Sequence, residues 1–277
     1  MTTDALEACS KAAAAKAAFL REKPHGYLIL SALAGIYVGF GIVLIFAIGA
    51  PLSVAGSPFL KFVMGASFGI ALSLVIVAGS ELFTGNTLVM TVGALRGAVP
   101  VSSLAGTWAV SLAGNLAGSL ALAWLVAQSG ALGAAPQADF IQKIAAAKMT
   151  LSFEDAFFRG ILCNWLVCLA VWSAMRQQSE AGKLIMIFWC LFAFIGAGFE
   201  HSVANMTLLG IALFQPHADS VSWAGFAHNL IPVTLGNIVG GAVFVAGAYL
   251  LANARLALPR PAETGATQVT GRSAAAD

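Results

Sequence analysis

Two short stretches hold most of the residues in this chain that could do chemistry. Gly198-Phe199-Glu200-His201-Ser202-Val203-Ala204-Asn205 sets a carboxylate, an imidazole and an amide together inside an apolar run from Leu184 to Phe214. Ala78-Gly79-Ser80-Glu81 leads to Thr84 and Asn86, and so sets a carboxylate, a hydroxyl and an amide inside a second run, from Phe59 to Leu95. An ionisable group at mid-membrane depth costs roughly 2.5–3.5 kcal/mol on insertion scales, and such groups mark solute or proton paths. His201 titrates near pH ~6.5 when unperturbed. A neutral ring would let an anion pass; a protonated one would hold it or hand it a proton.

The two stretches match each other. Ala-Gly-x-Glu followed by Asn five residues after the Glu occurs at Glu81/Asn86 and again at Glu200/Asn205. Gly114-Asn115-x-x-Gly118 recurs downstream as Gly236-Asn237-x-x-Gly240, in the same order. Each half holds three apolar segments. An odd number makes a direct sequence repeat an inverted one in the membrane, an arrangement in which broken helices meet at a central solute site.

Composition puts the chain in a bilayer: 59% of its residues are hydrophobic and only 9% charged, against about 25% charged in soluble domains. Six segments approach or exceed the ~20 residues a spanning helix needs: about 27–49, 59–95, 101–127, 153–175, 184–214 and 225–251. The second and fifth are expected to break at the two polar motifs. Residues 1–26 read as a cytoplasmic amphipathic helix with no cleavable signal peptide, 27–252 as the channel domain with repeats at about 27–127 and 153–252, and 253–277 as a disordered tail. Lys and Arg favour the termini and the second-to-third and fourth-to-fifth connections, with Lys61, Lys143, Lys148 and Arg159 on the other side, so both ends are expected in the cytoplasm. The four cysteines form no CxxC or Cys/His cluster, so neither a disulfide framework nor a metal site is expected. No basic aromatic patch suggests nucleic acid.

Irregular backbone at membrane depth survives only where it is buried in protein or lines a cavity. Glu81 and Glu200 are placed to accept hydrogen bonds from amides freed at the breaks, with a proton relay as the competing role. Asn86 and Asn205 would close the other side of each break. Half-helix N-termini pointing at one cavity make it positive, which suits an anion. Thr84 would offer its hydroxyl to that cavity. Lys148 would add fixed positive charge at the outer approach or sit as a solvated loop lysine, and Asn164 would bind solute or brace a helix. Phe68, Leu72, Leu82 and Phe194 flank the breaks, as apolar constrictions or as ordinary packing. The pairs Gly35/Gly39, Gly65/Gly69, Gly114/Gly118 and Gly236/Gly240 favour close helix approach, within the bundle or between subunits. An intramembrane enzyme built on Glu200 and His201 would lack a nucleophile with its base and an HExxH metal motif.

The motifs Gly79–Asn86, Cys163–Trp172 and Gly198–Met206 resemble signatures of the formate/nitrite transporter family, and the resemblance covers about residues 26–251. It implies an aquaporin-like protomer of six spans in a homopentamer, with one pore per protomer, in a bacterial cytoplasmic membrane beside lipid and with no cofactor. It makes His201 the central pore histidine and Thr84 the threonine of the first break. Lys148, Asn164, Glu200 and Asn205 become its polar neighbours, and Phe68, Leu72, Leu82 and Phe194 the two hydrophobic slits. Phe83-Thr84-Gly85-Asn86 departs from the formate-channel form of this loop, which favours nitrite over formate; hydrosulfide is a further alternative. The paired Asn-Pro-Ala boxes of water channels are absent.

Overall fold

The computed structural model describes residues 2–254; Met1 and residues 255–277, most of the expected tail, lie outside the described residues. The described chain is helical throughout. An amphipathic α1 (Thr2–Glu22) precedes the first span, α2 (Pro24–Val54), which Pro24 starts at a position where its missing N–H is harmless. The second span is α3 (Leu60–Ser67) and α4 (Ile70–Val77), followed after a gap by the half-helix α5 (Phe83–Leu95). The third is α6 (Val101–Ser129). A short α7 (Gln137–Met149) connects the halves. Then come α8 (Phe153–Arg176), α9 (Glu180–Ala197) and the half-helix α10 (Ser202–Phe214). The sixth span is α11 (Trp223–Val239), a π-helical stretch over Gly240–Gly247, and α12 (Ala248–Asn253).

Among the described residues, six helical stretches are long and apolar enough to cross a membrane. At 13 residues each, α5 and α10 are not; at 1.5 Å per residue they reach only ~20 Å. They are instead buried almost end to end, as suits helices that are apolar on every side. Both breaks are where the sequence puts them. Gly79 and Gly198 end the preceding helices with φ of 77° and 78°, a region that glycine enters without steric penalty.

The glycine pairs are resolved mostly in favour of packing inside the protomer. A Cβ on Gly35, Gly114 or Gly118 would strike the facing backbone of α6 or α2, and one on Gly160, Gly236 or Gly240 the facing backbone of α11 or α8. The same close crossing is thus built once in each half. Two features go beyond the sequence reading. The helix α7 occupies what reads as a plain connection, and the second span is interrupted at Phe68-Gly69, where the Phe68 N–H bonds to the Gly65 carbonyl. Every residue around that interruption is apolar or small, so no polar signal marks it.

A candidate pore between two broken helices

At the first break, Asn115 from α6 does the capping. Its Oδ1 accepts the Phe83 N–H at 2.9 Å, and its Nδ2 donates to the carbonyls of Ser31 and Glu81 at 2.7 and 2.9 Å. At the second break, Asn237 from α11 repeats the pattern. Its Oδ1 accepts the Ser202 N–H at 2.9 Å and its Nδ2 donates to the carbonyls of Gly160 and Glu200 at 2.8 and 3.0 Å. The Glu81 N–H reaches the Leu30 carbonyl, and the Glu200 N–H the Arg159 carbonyl. Two asparagines and two neighbouring spans thus take up the freed backbone groups nearest each break.

The glutamates have a different task from the one expected. Neither carboxylate takes a backbone amide. Glu81 pairs with Lys16 of α1 at 2.6 Å and also accepts from Tyr27 Oη at 2.9 Å and Asn86 Nδ2 at 3.2 Å. Glu200 pairs with Lys148 of α7 at 2.6 Å and accepts from Asn205 Nδ2 at 2.6 Å. Asn205 also donates to Asn229, which in turn donates to the Lys148 carbonyl. Asn86 and Asn205 thus tie each half-helix back to its glutamate. Lys148 is neither a free positive charge nor a solvated loop lysine; its side chain is only 20% exposed and its amine is paired with Glu200.

Between the breaks stands His201, the residue that caps α10. Its Nδ1 accepts the Ala204 N–H at 3.1 Å, so in the neutral ring Nε2 carries the proton and donates it to Thr84 Oγ1, also at 3.1 Å. The tautomer follows from these hydrogen bonds. Thr84 is fully buried behind the ring and lines none of the neighbouring cavities; its hydroxyl meets His201 and not the cavity at which the sequence places it. Asn164 is a brace. Its Nδ2 ties the Thr84 carbonyl, Thr87 Oγ1 and the Asn237 carbonyl together, and it too lines none of the neighbouring cavities.

The cavities form a line. One of about 310 Å³ lies on the Lys148 side and is bounded inward by Phe194 and His201. A pinched void of about 10 Å³ follows, walled by Phe68, Leu72, Leu82, Phe194 and His201. The third, about 390 Å³, opens on the Lys16 side beyond Leu72 and Leu82. The ring of Phe194 meets Phe68 edge-on at 5.5 Å and stacks against His201 at 5.9 Å. The four expected constriction residues therefore gather at one narrow passage around the histidine, Phe194 facing one vestibule and Leu72 and Leu82 the other.

The model of the formate/nitrite transporter family matches residues 3–251. The chain belongs to this family. Members are transporters and channels, so this is a multi-pass membrane channel protein and not an enzyme. Among its relatives is the nitrite transporter NirC of Salmonella typhimurium, 44% identical over 95% of this chain and 96% of that protein. A solved FNT family ion channel superposes with a TM-score of 0.87 at 44% identity, over 91% of this chain and 100% of that one. A pentameric formate channel with formate bound gives 0.73 at 30% identity, over 82% and 96%.

Five contributors in this family member escape the sequence reading: Lys16, Tyr27 and Asn229, and Asn115 and Asn237 as caps. The lysines did leave a signal. Ala5, Cys9 and Ala13 form the buried stripe of α1, and Lys16 is the next position on it; Ile141 and Ala145 lead to Lys148 in the same way on α7. A lysine continuing an apolar stripe needs a buried counter-charge, and each break offers one glutamate.

Proposed function

We propose that the protein is a channel for a small monovalent weak-acid anion, nitrite foremost, with one pore per protomer of a homopentamer. The observation that carries this reading is the histidine held between two apolar walls, each backed by a vestibule that contains one Lys–Glu ion pair. A bare anion entering so narrow an apolar passage loses hydration worth several kcal/mol, and its neutral acid loses far less. The Nε2–H of His201, now held by Thr84, is the donor that an arriving anion would take over; proton supply by way of that ring would let the acid form cross the second wall.

The 44% identity to proteins named nitrite transporters supports nitrite, as does the Phe83–Asn86 loop. Formate is the second reading, favoured by the likeness to the formate-bound pentameric channel. With both termini in the cytoplasm of a bacterium, as the Lys and Arg distribution argues, the Lys148 vestibule faces outward. The apolar faces of the spans would contact lipid and neighbouring protomers. The test is uptake of nitrite, formate and hydrosulfide side by side by proteoliposomes, with and without a pH gradient. Nitrite uptake that exceeds formate uptake and rises with an acidic exterior is expected, and His201→Asn should remove the pH dependence. Formate uptake well above nitrite would reverse the substrate order, and no uptake of any of the three would overturn the reading.

A further inference from the structure

The two vestibules look alike in their ion pairs but not in their free charge. Lys16 and Glu81 are the charged residues lining the Lys16-side cavity, and they neutralise each other at 2.6 Å. The Lys148-side cavity contains the matching pair, Lys148 and Glu200, and in addition Lys61 from α3 and Arg159 from α8. Both extra side chains are exposed, and among the described residues neither has an ion-pair or hydrogen-bond partner for its charged group. Glu154 and Asp155 lie at the start of α8, but they do not line the cavity and form no ion pair with Arg159. Arg159 is anchored by its own backbone, since its carbonyl receives the Glu200 N–H.

We propose that Lys61 and Arg159 form an anion-capture station at the mouth of the Lys148 vestibule, giving the channel a higher apparent affinity for small monovalent anions from that face than from the other. Low-dielectric walls, supplied here by Phe46, Phe140, Ile144 and Phe199, focus such a field and raise the local counter-ion concentration. The station cannot drive net transport. At equal concentrations on both sides the net flux is zero, so a lower half-saturation at one face comes with a proportionally lower maximal rate from it. The inference rests on the anion-channel reading but not on which anion passes.

The test measures initial rates of nitrite and formate entry into right-side-out and inside-out membrane vesicles containing the full-length protein, at ionic strengths from about 0.01 to 0.5 M, over which the screening length falls from about 30 Å to a few Å. Half-saturation at the Lys148 face is expected to rise about three- to tenfold with salt and to stay flat at the other face. The double variant Lys61→Gln/Arg159→Gln should lose the salt dependence and the difference between faces, while Lys61→Arg/Arg159→Lys keeps both. Equal half-saturation and salt response at the two faces of the wild type would overturn the station, as would an asymmetry that survives the double Gln variant. Passage of formate without nitrite would instead correct the substrate, and the comparison of faces would then be read on formate.

Discussion

The break at Glu81 and the break at Glu200 are one device built twice, and they differ most at the residue that opens each half-helix. Each has a left-handed glycine, a glutamate paired to a lysine, an asparagine five residues on, and a capping asparagine from the next span. The residue that caps the half-helix differs. In the first half it is Leu82, which makes no side-chain cap; in the second it is His201, which does. Symmetry thus supplies a rigid frame and two vestibules, and its local failure puts a single polar ring in the passage. The lysines show that the repeat is longer than the three spans, because α1 and α7 play matching parts ahead of each half.

The largest expected effects come from unpairing the glutamates. Breaking a buried ion pair by removing one partner costs about 3–5 kcal/mol. Lys148→Gln should come close to that in thermal unfolding in detergent, because Glu200 keeps only Asn205. Lys16→Gln should cost less, because Glu81 keeps both Tyr27 and Asn86. Adding Glu200→Gln or Glu81→Gln to the respective variant should recover much of the loss; a larger loss at Lys16 than at Lys148 would break the comparison.

Next come the caps. Asn115→Ala and Asn237→Ala each leave one backbone N–H and one carbonyl, that of Glu81 or Glu200, without a partner, while the Ser31 and Gly160 carbonyls keep their helical bonds; each group left unsatisfied in a buried setting costs ~1–3 kcal/mol. Each should therefore lower stability by about 3 kcal/mol, and by the same amount within error if the breaks are equivalent. Unfolding monitored by tryptophan fluorescence measures both, and a several-fold disparity would show that one break is held by other means.

The smallest effect concerns how firmly α1 and α7 are seated. Cys9 lies fully buried on α1 with its Sγ 3.3 Å from Met175 Sδ. Burial pushes its thiol up to about 12, with Arg96 pulling weakly the other way. A raised thiol pKa keeps the unreactive protonated form dominant until the pH approaches that value. Maleimide labelling at Cys9 should therefore be slow from pH 7 to 9, and Lys16→Gln should quicken it a few-fold by loosening α1, whereas Lys148→Gln should leave it unchanged. Labelling that is fast in the wild type would mean α1 is not docked as described.

Much of this was legible in the sequence, because polar residues interrupting apolar runs are conspicuous. Gly79, Glu81, Gly198, Glu200 and His201 announce both breaks, and the repeat of Gly-Asn-x-x-Gly marks the two halves as equivalent. What could not be read was partnership. Lys16 and Glu81 are 65 residues apart and Lys148 and Glu200 are 52 apart, and local pattern cannot say which lysine folds back onto which carboxylate. The expected roles of Glu81 and Glu200 as caps failed for the same reason: the capping asparagines come from a different helix. Its place in the break that matches that of His201 puts Thr84 at the cavity on sequence grounds, but the half-helix turns it behind the ring of His201.

The most direct test of the central claim is to erase the difference between the halves. His201→Leu makes the second break resemble the first, leaving both glutamate networks and both asparagine caps in place. If the Nε2–H of His201 is the group that carries an anion through the passage, losing a charge-assisted hydrogen bond of ~2 kcal/mol should cut nitrite flux at least about thirtyfold in proteoliposomes containing folded protein. Flux within a factor of two of the wild type would contradict the account.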